Sequence, residues 1–283
     1  MIGLILEGGG MRGAFTAGVL DYWMEQGLWF TDVYGVSAGA CQACSYLCNQ
    51  PGRGLRVWLD YLDDPRFCSM RSLLTTGDLF GAELNYDLIP RKLDPLKNEV
   101  YHQSGARLVA VLTDVETGRP VYVPISDMIA DLKVFQATAS LPLVSNIVEW
   151  NGGRYLDGGI TDSIPIRRAI ADGHDKNVLV LTQAPDYRKE PNRAMALIRA
   201  KYRRYPKLVE AVARRHVGYN ETLDFIRQQE KAGKLFVLRP DVKPDVGRIE
   251  KNPEKLRHLH SIGAAIAKRE HERLTEFLGD EEV

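Results

Sequence analysis

The sequence predicts an α/β protein whose central, mostly parallel sheet is covered by helices on both faces, with a helical C-terminal elaboration. Three observations carry this. Short, continuously apolar runs recur at residues 2–6, 108–112 and 178–181, with a further short run around Val33 and Tyr34; runs of that length and uniformity suit strands buried on both faces. Stretches of helical periodicity alternate with them, as parallel connections require. Two glycine-rich turns, at residues 8–13 and 35–39, each leave a strand and open a helix.

The first run ends in Glu7-Gly8-Gly9-Gly10-Met11-Arg12-Gly13, a turn made almost wholly of backbone. Phe15, Val19, Tyr22 and Trp23 then recur at helical spacing, so the turn sits at a helix N-terminus, where free N–H groups face outward and favour an anion. The second strand leads into Gly35-Val36-Ser37-Ala38-Gly39, a Gly-x-Ser-x-Gly nucleophile elbow. Such an elbow lifts Ser37 out of the sheet, and small residues at Gly35 and Gly39 are needed because side chains there would strike neighbouring backbone. An ester attacked by Ser37 would develop a negative oxygen within reach of the first turn's N–H groups.

Residues 51–64 read as connecting structure with a short amphipathic piece marked by Trp58, Tyr61 and Leu62. Residues 67–93 are moderately apolar without a sustained period, either a cap over the site or packed loops and short helices. Residues 108–112 and 121–123, joined through Gly118, read as a hairpin. Asp127 is placed to cap an amphipathic helix carrying Ile129, Leu132 and Phe135 that stops by Pro142. Residues 154–156 form a short strand that delivers Asp157 into Gly158-Gly159; taken alone, Asp157 reads as a turn residue. Residues 188–215 hold ten Lys or Arg against two acids, with an apolar side that includes Leu208 and Val212. That pattern is a solvated helix face or a surface for anionic membrane. A strand at 235–238 and one long charged helix over 253–278 complete the chain.

With 283 residues, 45% apolar composition and zero formal net charge, the chain has no global field to recruit nucleic acid. No stretch reaches the roughly 18 apolar residues of a spanning helix, and no basic, then apolar leader opens the sequence, so a cytoplasmic protein, at most peripheral at membranes, is expected. Cys41, Cys44 and Cys48 follow the elbow at helical spacing; they read as small buried hydrophobes on one helix face rather than metal ligands, and no metal or cofactor is expected. Gly8, Gly10 and Gly13 also satisfy Gly-x-Gly-x-x-Gly, but Asp32, the candidate ribose ligand, precedes the second strand instead of ending it. None of the six histidines sits in a glycine-framed or strand-end setting that would mark it as the base in the α/β-hydrolase order of serine, acid and histidine, and four lie in the charged C-terminal third.

In this order, residues 8–13, Gly35-Val36-Ser37-Ala38-Gly39 and Asp157-Gly158-Gly159 resemble the oxyanion-hole, nucleophile and acid motifs of the patatin-like phospholipases, closest to a bacterial branch that begins Leu-Glu-Gly-Gly-Gly-Met-Arg-Gly. The segment at 139–142 and the hairpin are similar too. The resemblance spans residues 1–185 and implies a catalytic core there, with 186–283 a basic, helical elaboration packed on it as one domain. It implies a three-layer sandwich, a Ser37–Asp157 dyad without histidine, an oxyanion hole from Gly8, Gly9, Gly10, Met11, Arg12 and Gly13 with Arg12 stiffening the turn, and hydrolysis of lipid acyl esters. A non-catalytic module of the same fold that holds an anionic ligand is the alternative.

Overall fold

The computed structural model describes residues 2–279. Its centre is an eight-stranded sheet of β1 (Ile2–Leu6), β2 (Asp32–Val36), β3 (Arg107–Asp114), β4 (Pro120–Ile125), β5 (Val148–Trp150), β6 (Gly153–Asp157), β7 (Lys176–Val180) and β8 (Leu235–Leu238). The order is β5-β6-β3-β2-β1-β7-β8, with β4 alongside β3. Strands β3, β2, β1, β7 and β8 run parallel, while β4, β5 and β6 join antiparallel.

Strand β3 arranges the site. Both β4 and β6 pair with Leu112 and Thr113, so they lie on opposite edges of β3; β2 and β4 both pair with residues 108–111 and are likewise opposed. Strands β2 and β6 therefore share one edge, end to end. Val36 lies opposite Val111, and Asp157 opposite Leu112.

The helices are α1 (Gly13–Glu25), α2 (Ala38–Leu47), α3 (Arg53–Tyr61), α4 (Met70–Thr76), α5 (Asn98–Ser104), α6 (Leu132–Thr138), α7 (Ile166–Ala171), α8 (Met195–Lys201), α9 (Pro206–Lys231), α10 (Pro253–Arg269) and α11 (His271–Leu278). Side chains alternate across β1, as the strand's period of two requires. Leu4 and Leu6 join the larger core, which holds Phe15, Val19 and Trp23 of α1 and Ala40, Ala43 and Tyr46 of α2. Ile5 faces the other way, into a core with Ile166 and Ala169 of α7 and Tyr219, Leu223 and Ile226 of α9. Helices thus cover both faces, and the C-terminal residues take part: β8 extends the sheet beside β7, and α10 crosses α1 where Gly18 and Gly263 let the backbones touch.

Local expectations need three corrections. Asp127 caps a turn, accepting the Ile129 and Ala130 N–H groups, and the helix starts only at Leu132 behind Asp131, so Ile129 lies outside it. The basic stretch is not one helix: it breaks between α8 and α9, where Tyr202 is buried and bonds the Leu143 N–H. The terminal helix bends at Glu270, which turns Leu274 and Leu278 inward and sets Phe277 against Phe236 of β8, ring centroids 5.7 Å apart. Residues 84–93 wind as a π-helix through Pro90, a form whose wide turn offers no periodicity for a sequence to display.

Candidate active site

Ser37 follows β2 directly, at φ 53° and ψ −124°, a backbone state a non-glycine residue adopts only when its surroundings impose it. The imposition is visible. A Cβ on Gly39 would sit 2.4 Å from the Leu6 carbonyl oxygen, so only glycine lets α2 start this close to β1. The Ser37 N–H donates to Thr138 Oγ1 at 2.9 Å, and that hydroxyl donates to the Val111 carbonyl at 2.6 Å.

Because Asp157 stands one position beyond Val36 on the shared edge of β3, its carboxylate reaches the serine, and Ser37 Oγ donates to Asp157 Oδ2 at 2.7 Å. The other oxygen, Oδ1, accepts the Gly159 N–H at 2.7 Å, while the Asp157 N–H is held by the Ser140 carbonyl. Both residues are buried, with Ser37 7% and Asp157 2% exposed. Burial pushes the Asp157 carboxyl above the ordinary carboxylate range, opposed first by the nearby charge of Arg215 and then by the Ser37 and Gly159 hydrogen bonds.

The glycine turn lies against this pair: a Cβ on Gly8 would stand 3.1 Å from Ser37 Cβ. The N–H groups of Gly9 and Gly10 meet no protein acceptor among the described residues, whereas Gly8 makes a long contact of 3.5 Å to the Ser163 carbonyl. Met11 corrects an expectation. Its N–H is taken by the Arg248 carbonyl at 3.0 Å, and that of Gly13 turns back to Gly10 and Met11 of a short 3-10 turn at Gly10–Arg12, which removes Met11 and Gly13 from the free donors and leaves Gly9 and Gly10 among them. Arg12 lies in the turn, and among the described residues its buried Nε has no hydrogen-bond partner.

Beside Ser37 lies a cavity of about 130 Å³, walled by Trp58, Phe80, Tyr86, Ile89 and Phe135 and reached by Gly10 and Cys41. The irregular stretch at 67–93 supplies much of that wall, so it does meet the site. Burial raises the Cys41 thiol to about 12, which keeps it protonated one turn from Ser37.

A family profile for the patatin-like phospholipases matches residues 4–170, and these contain the glycine turn, the elbow and Asp157. The chain belongs to the patatin-like phospholipase family. Residues 205–279 match a separate profile described only as a domain of unknown function, DUF6363. Among relatives, the chain is 29% identical over 252 residues to the uncharacterized protein YjjU of Escherichia coli K12, covering 84% of this chain and 68% of that one. It is 27% identical over 139 residues to mouse 1-acylglycerol-3-phosphate O-acyltransferase Pnpla3, covering 47% of this chain and 32% of the relative. VipD from Legionella pneumophila aligns in structure at 13% identity with a TM-score of 0.44, over 94% of this chain and 66% of that one.

Within this patatin-like protein, Gly158 and Gly159 open a short 3-10 turn that continues from the acid. Asp162, the next carboxylate along the chain after Asp157, accepts the Tyr122 hydroxyl at 2.8 Å. Asp32 sits at the far end of β2 from the glycine turn and pairs with Arg107 at 2.7 Å, away from any ribose position. Sequence reading missed Thr138, whose alanine-flanked setting gave no sign of contact with an elbow 101 residues earlier. It also missed Lys189 and Arg215, read as members of a surface stretch. Among the described residues no helix is long and apolar enough to cross a membrane.

Proposed function

We infer that the protein is a serine hydrolase of lipid acyl esters, working through Ser37 and Asp157. The observation that carries this reading is the hydrogen bond of 2.7 Å from the strained Ser37 to a buried carboxylate whose proton affinity burial has raised. An ordinary aspartate, with a pKa near ~3.9, is a weak base for a hydroxyl. Asp157 is a better one, and proton transfer concerted with attack avoids a free alkoxide.

In the first half-reaction Ser37 Oγ bonds to the ester carbon as its proton passes to Asp157 Oδ2. The carbonyl oxygen becomes anionic and takes the Gly9 and Gly10 N–H groups as donors. Collapse breaks the bond to the alcohol, which leaves with the proton from Asp157. Water then gives a proton to Asp157 and its oxygen to the acyl carbon, and Asp157 passes that proton to Ser37 Oγ as the acyl–oxygen bond breaks, freeing the fatty acid. The acyl chain occupies the apolar cavity lined by Trp58, Phe80 and Tyr86.

The test is a fluorophosphonate label read by peptide mass spectrometry, with hydrolysis of a short-chain ester alongside. The expected adduct is on Ser37, and Ser37→Ala is expected to lose hydrolysis while keeping its circular dichroism. An adduct elsewhere, or more than a tenth of activity in that variant, overturns the reading.

A further inference from the structure

A second cavity, of about 600 Å³, opens behind the acid and is walled almost entirely by residues outside those matched to the patatin family. Arg215 of α9 forms its inner end, Lys189 of the loop before α8 one wall, and exposed Arg248 of the loop after β8 its rim. Both ends of this arrangement abut the reacting groups. The position a Cβ would take on Gly159 is 3.1 Å from Arg215 Nη2 and 2.9 Å from Asp157 Oδ1, and the Arg248 backbone lies against Gly10.

Asp157 and Glu7 act on Arg215 and Lys189 from a distance, but among the described residues none of these cations is held in a direct ion pair. Arg188 on the same wall is paired with Asp224, and Arg193 with Glu190, but among the described residues no carboxylate comes within ion-pair distance of Lys189, Arg215 or Arg248. The buried acid nearby, Glu7, is occupied by the Thr182 N–H and hydroxyl and by the Tyr219 hydroxyl. Among the described residues, the buried Arg215 Nε has no acceptor. The Lys189 ammonium is fixed instead over the Tyr219 ring, 4.1 Å from its centroid. Burial and then the charge of Arg215 draw that ammonium down to about 7, and burial and then Arg248 depress Arg215 in turn. Asp186 and Glu190 also line the cavity, but neither is in ion-pair contact with these three cations. Like charges converging without a carboxylate in direct contact are costly to assemble, and an anion in their midst lowers that cost.

We propose that Lys189, Arg215 and Arg248 form the receptor for a phosphate carried on the alcohol half of the ester substrate. The proposal rests on the hydrolase reading. The acyl half lies on the apolar side of Ser37 and the phosphate on the basic side, beyond Asp157, so that the leaving alcohol departs toward the cations. The C-terminal third thereby selects which lipid is cleaved, with guanidinium and ammonium groups suited to phosphate oxygens.

The experiment compares two short-chain esters with the same acyl group, both below their micelle concentration so that surface attraction plays no part: a 1-acylglycerol-3-phosphate and the uncharged 1-acylglycerol. Wild type is expected to favour the phosphate ester in kcat/KM by at least about tenfold, the scale of one or two charge-assisted hydrogen bonds. Lys189→Gln and Arg248→Gln, each checked for unchanged thermal unfolding, are expected to cut that preference by about tenfold. Equal kcat/KM for the two esters in wild type, or an undiminished preference in both variants, overturns the proposal and leaves the hydrolase reading standing. If neither ester is cleaved and Ser37 takes no label, the hydrolase reading fails. Titration calorimetry of inorganic phosphate into Ser37→Ala protein separates the sources of the anion: binding lost in Lys189→Gln supports the receptor, while binding without any preference between esters marks a site for free phosphate and overturns the head-group assignment.

Discussion

The hydroxyl of Thr138 stands between the Ser37 N–H, which it accepts at 2.9 Å, and the Val111 carbonyl, to which it donates at 2.6 Å. It ties the strained elbow to β3 through one atom. Thr138→Val keeps the shape and removes the tie, stranding a buried donor and a buried acceptor at about 1–3 kcal/mol each. We expect a lower unfolding temperature and slower fluorophosphonate labelling of Ser37, with Thr138→Ser near wild type in both. Labelling of Thr138→Val at the wild-type rate would mean that the Gly39 contact alone holds the elbow.

Replacing Asp157 separates activity from stability. Asp157→Asn cannot accept the serine proton, and loss of a general base typically lowers turnover about 10²- to 10⁴-fold. Burial raises the folded-state pKa of Asp157 above its unfolded value, so the native protein binds more protons between the two, and unfolding free energy falls as pH rises through that window. The asparagine variant has no ionised carboxylate to bury. Its unfolding temperature is expected to match or exceed wild type at about pH 8 and to lose that advantage toward about pH 4, near the unfolded pKa. A variant less stable than wild type at the higher pH, with the gap closing in acid, would contradict the burial argument.

The acid limb of the rate profile follows from the same group. Asp157 must be ionised to take the proton, so kcat/KM for a soluble ester should fall with pH through an apparent pKa above that of an ordinary aspartate. A limb lying below pH ~3.9 would point to a carboxylate in an open, polar setting.

Histidine should be dispensable for the chemistry. His260 bonds Asp21 at 2.7 Å, His102 bonds Asp127 at 2.9 Å, and His174 packs against Tyr34, while none of the six is hydrogen-bonded to Ser37 or Asp157. Changing His102, His174, His216, His258, His260 and His271 singly to Gln is expected to leave turnover of a soluble ester within a few-fold. One variant that folds normally and collapses in rate would restore a conventional triad.

Membrane attraction is expected from the outer face of α8 and the turn after it. Arg199, Arg203 and Arg204 are exposed, with Leu197 beside them at 63% exposure. Cations held near an anionic leaflet attract it within a Debye length, about 8 Å at physiological salt. Reversing the three arginines to Glu should weaken sedimentation with anionic vesicles and spare hydrolysis of a soluble ester. Equal sedimentation of variant and wild type would leave this face merely solvated.

Parts of the site could be read from sequence wherever a local spacing has a single geometric use. The elbow is such a case, because Gly35 and Gly39 around Ser37 serve one backbone shape. Asp157 was less plain, since an Asp-Gly turn is common and its partner lies 120 residues away; only the order of three motifs singled it out. The convergence of Lys189, Arg215 and Arg248 could not be read, because a loop, a helix and a second loop bring them together and no pattern within any one of them marks an inward side chain. The use of the Met11 N–H by Arg248 escaped for the same reason.

The shared edge of β3 has a consequence for how such a protein changes over time. Spacing between Ser37 and Asp157 is fixed by adjacent rungs of one strand, opposite Val111 and Leu112, whereas much of the apolar wall comes from residues 53–96 and 132–141 and the basic wall from residues 183–248. Either wall can be lengthened, exchanged or recharged without shifting the register that sets Ser37 against Asp157. A lineage built on this plan can drift across substrates while its chemistry stays where it was.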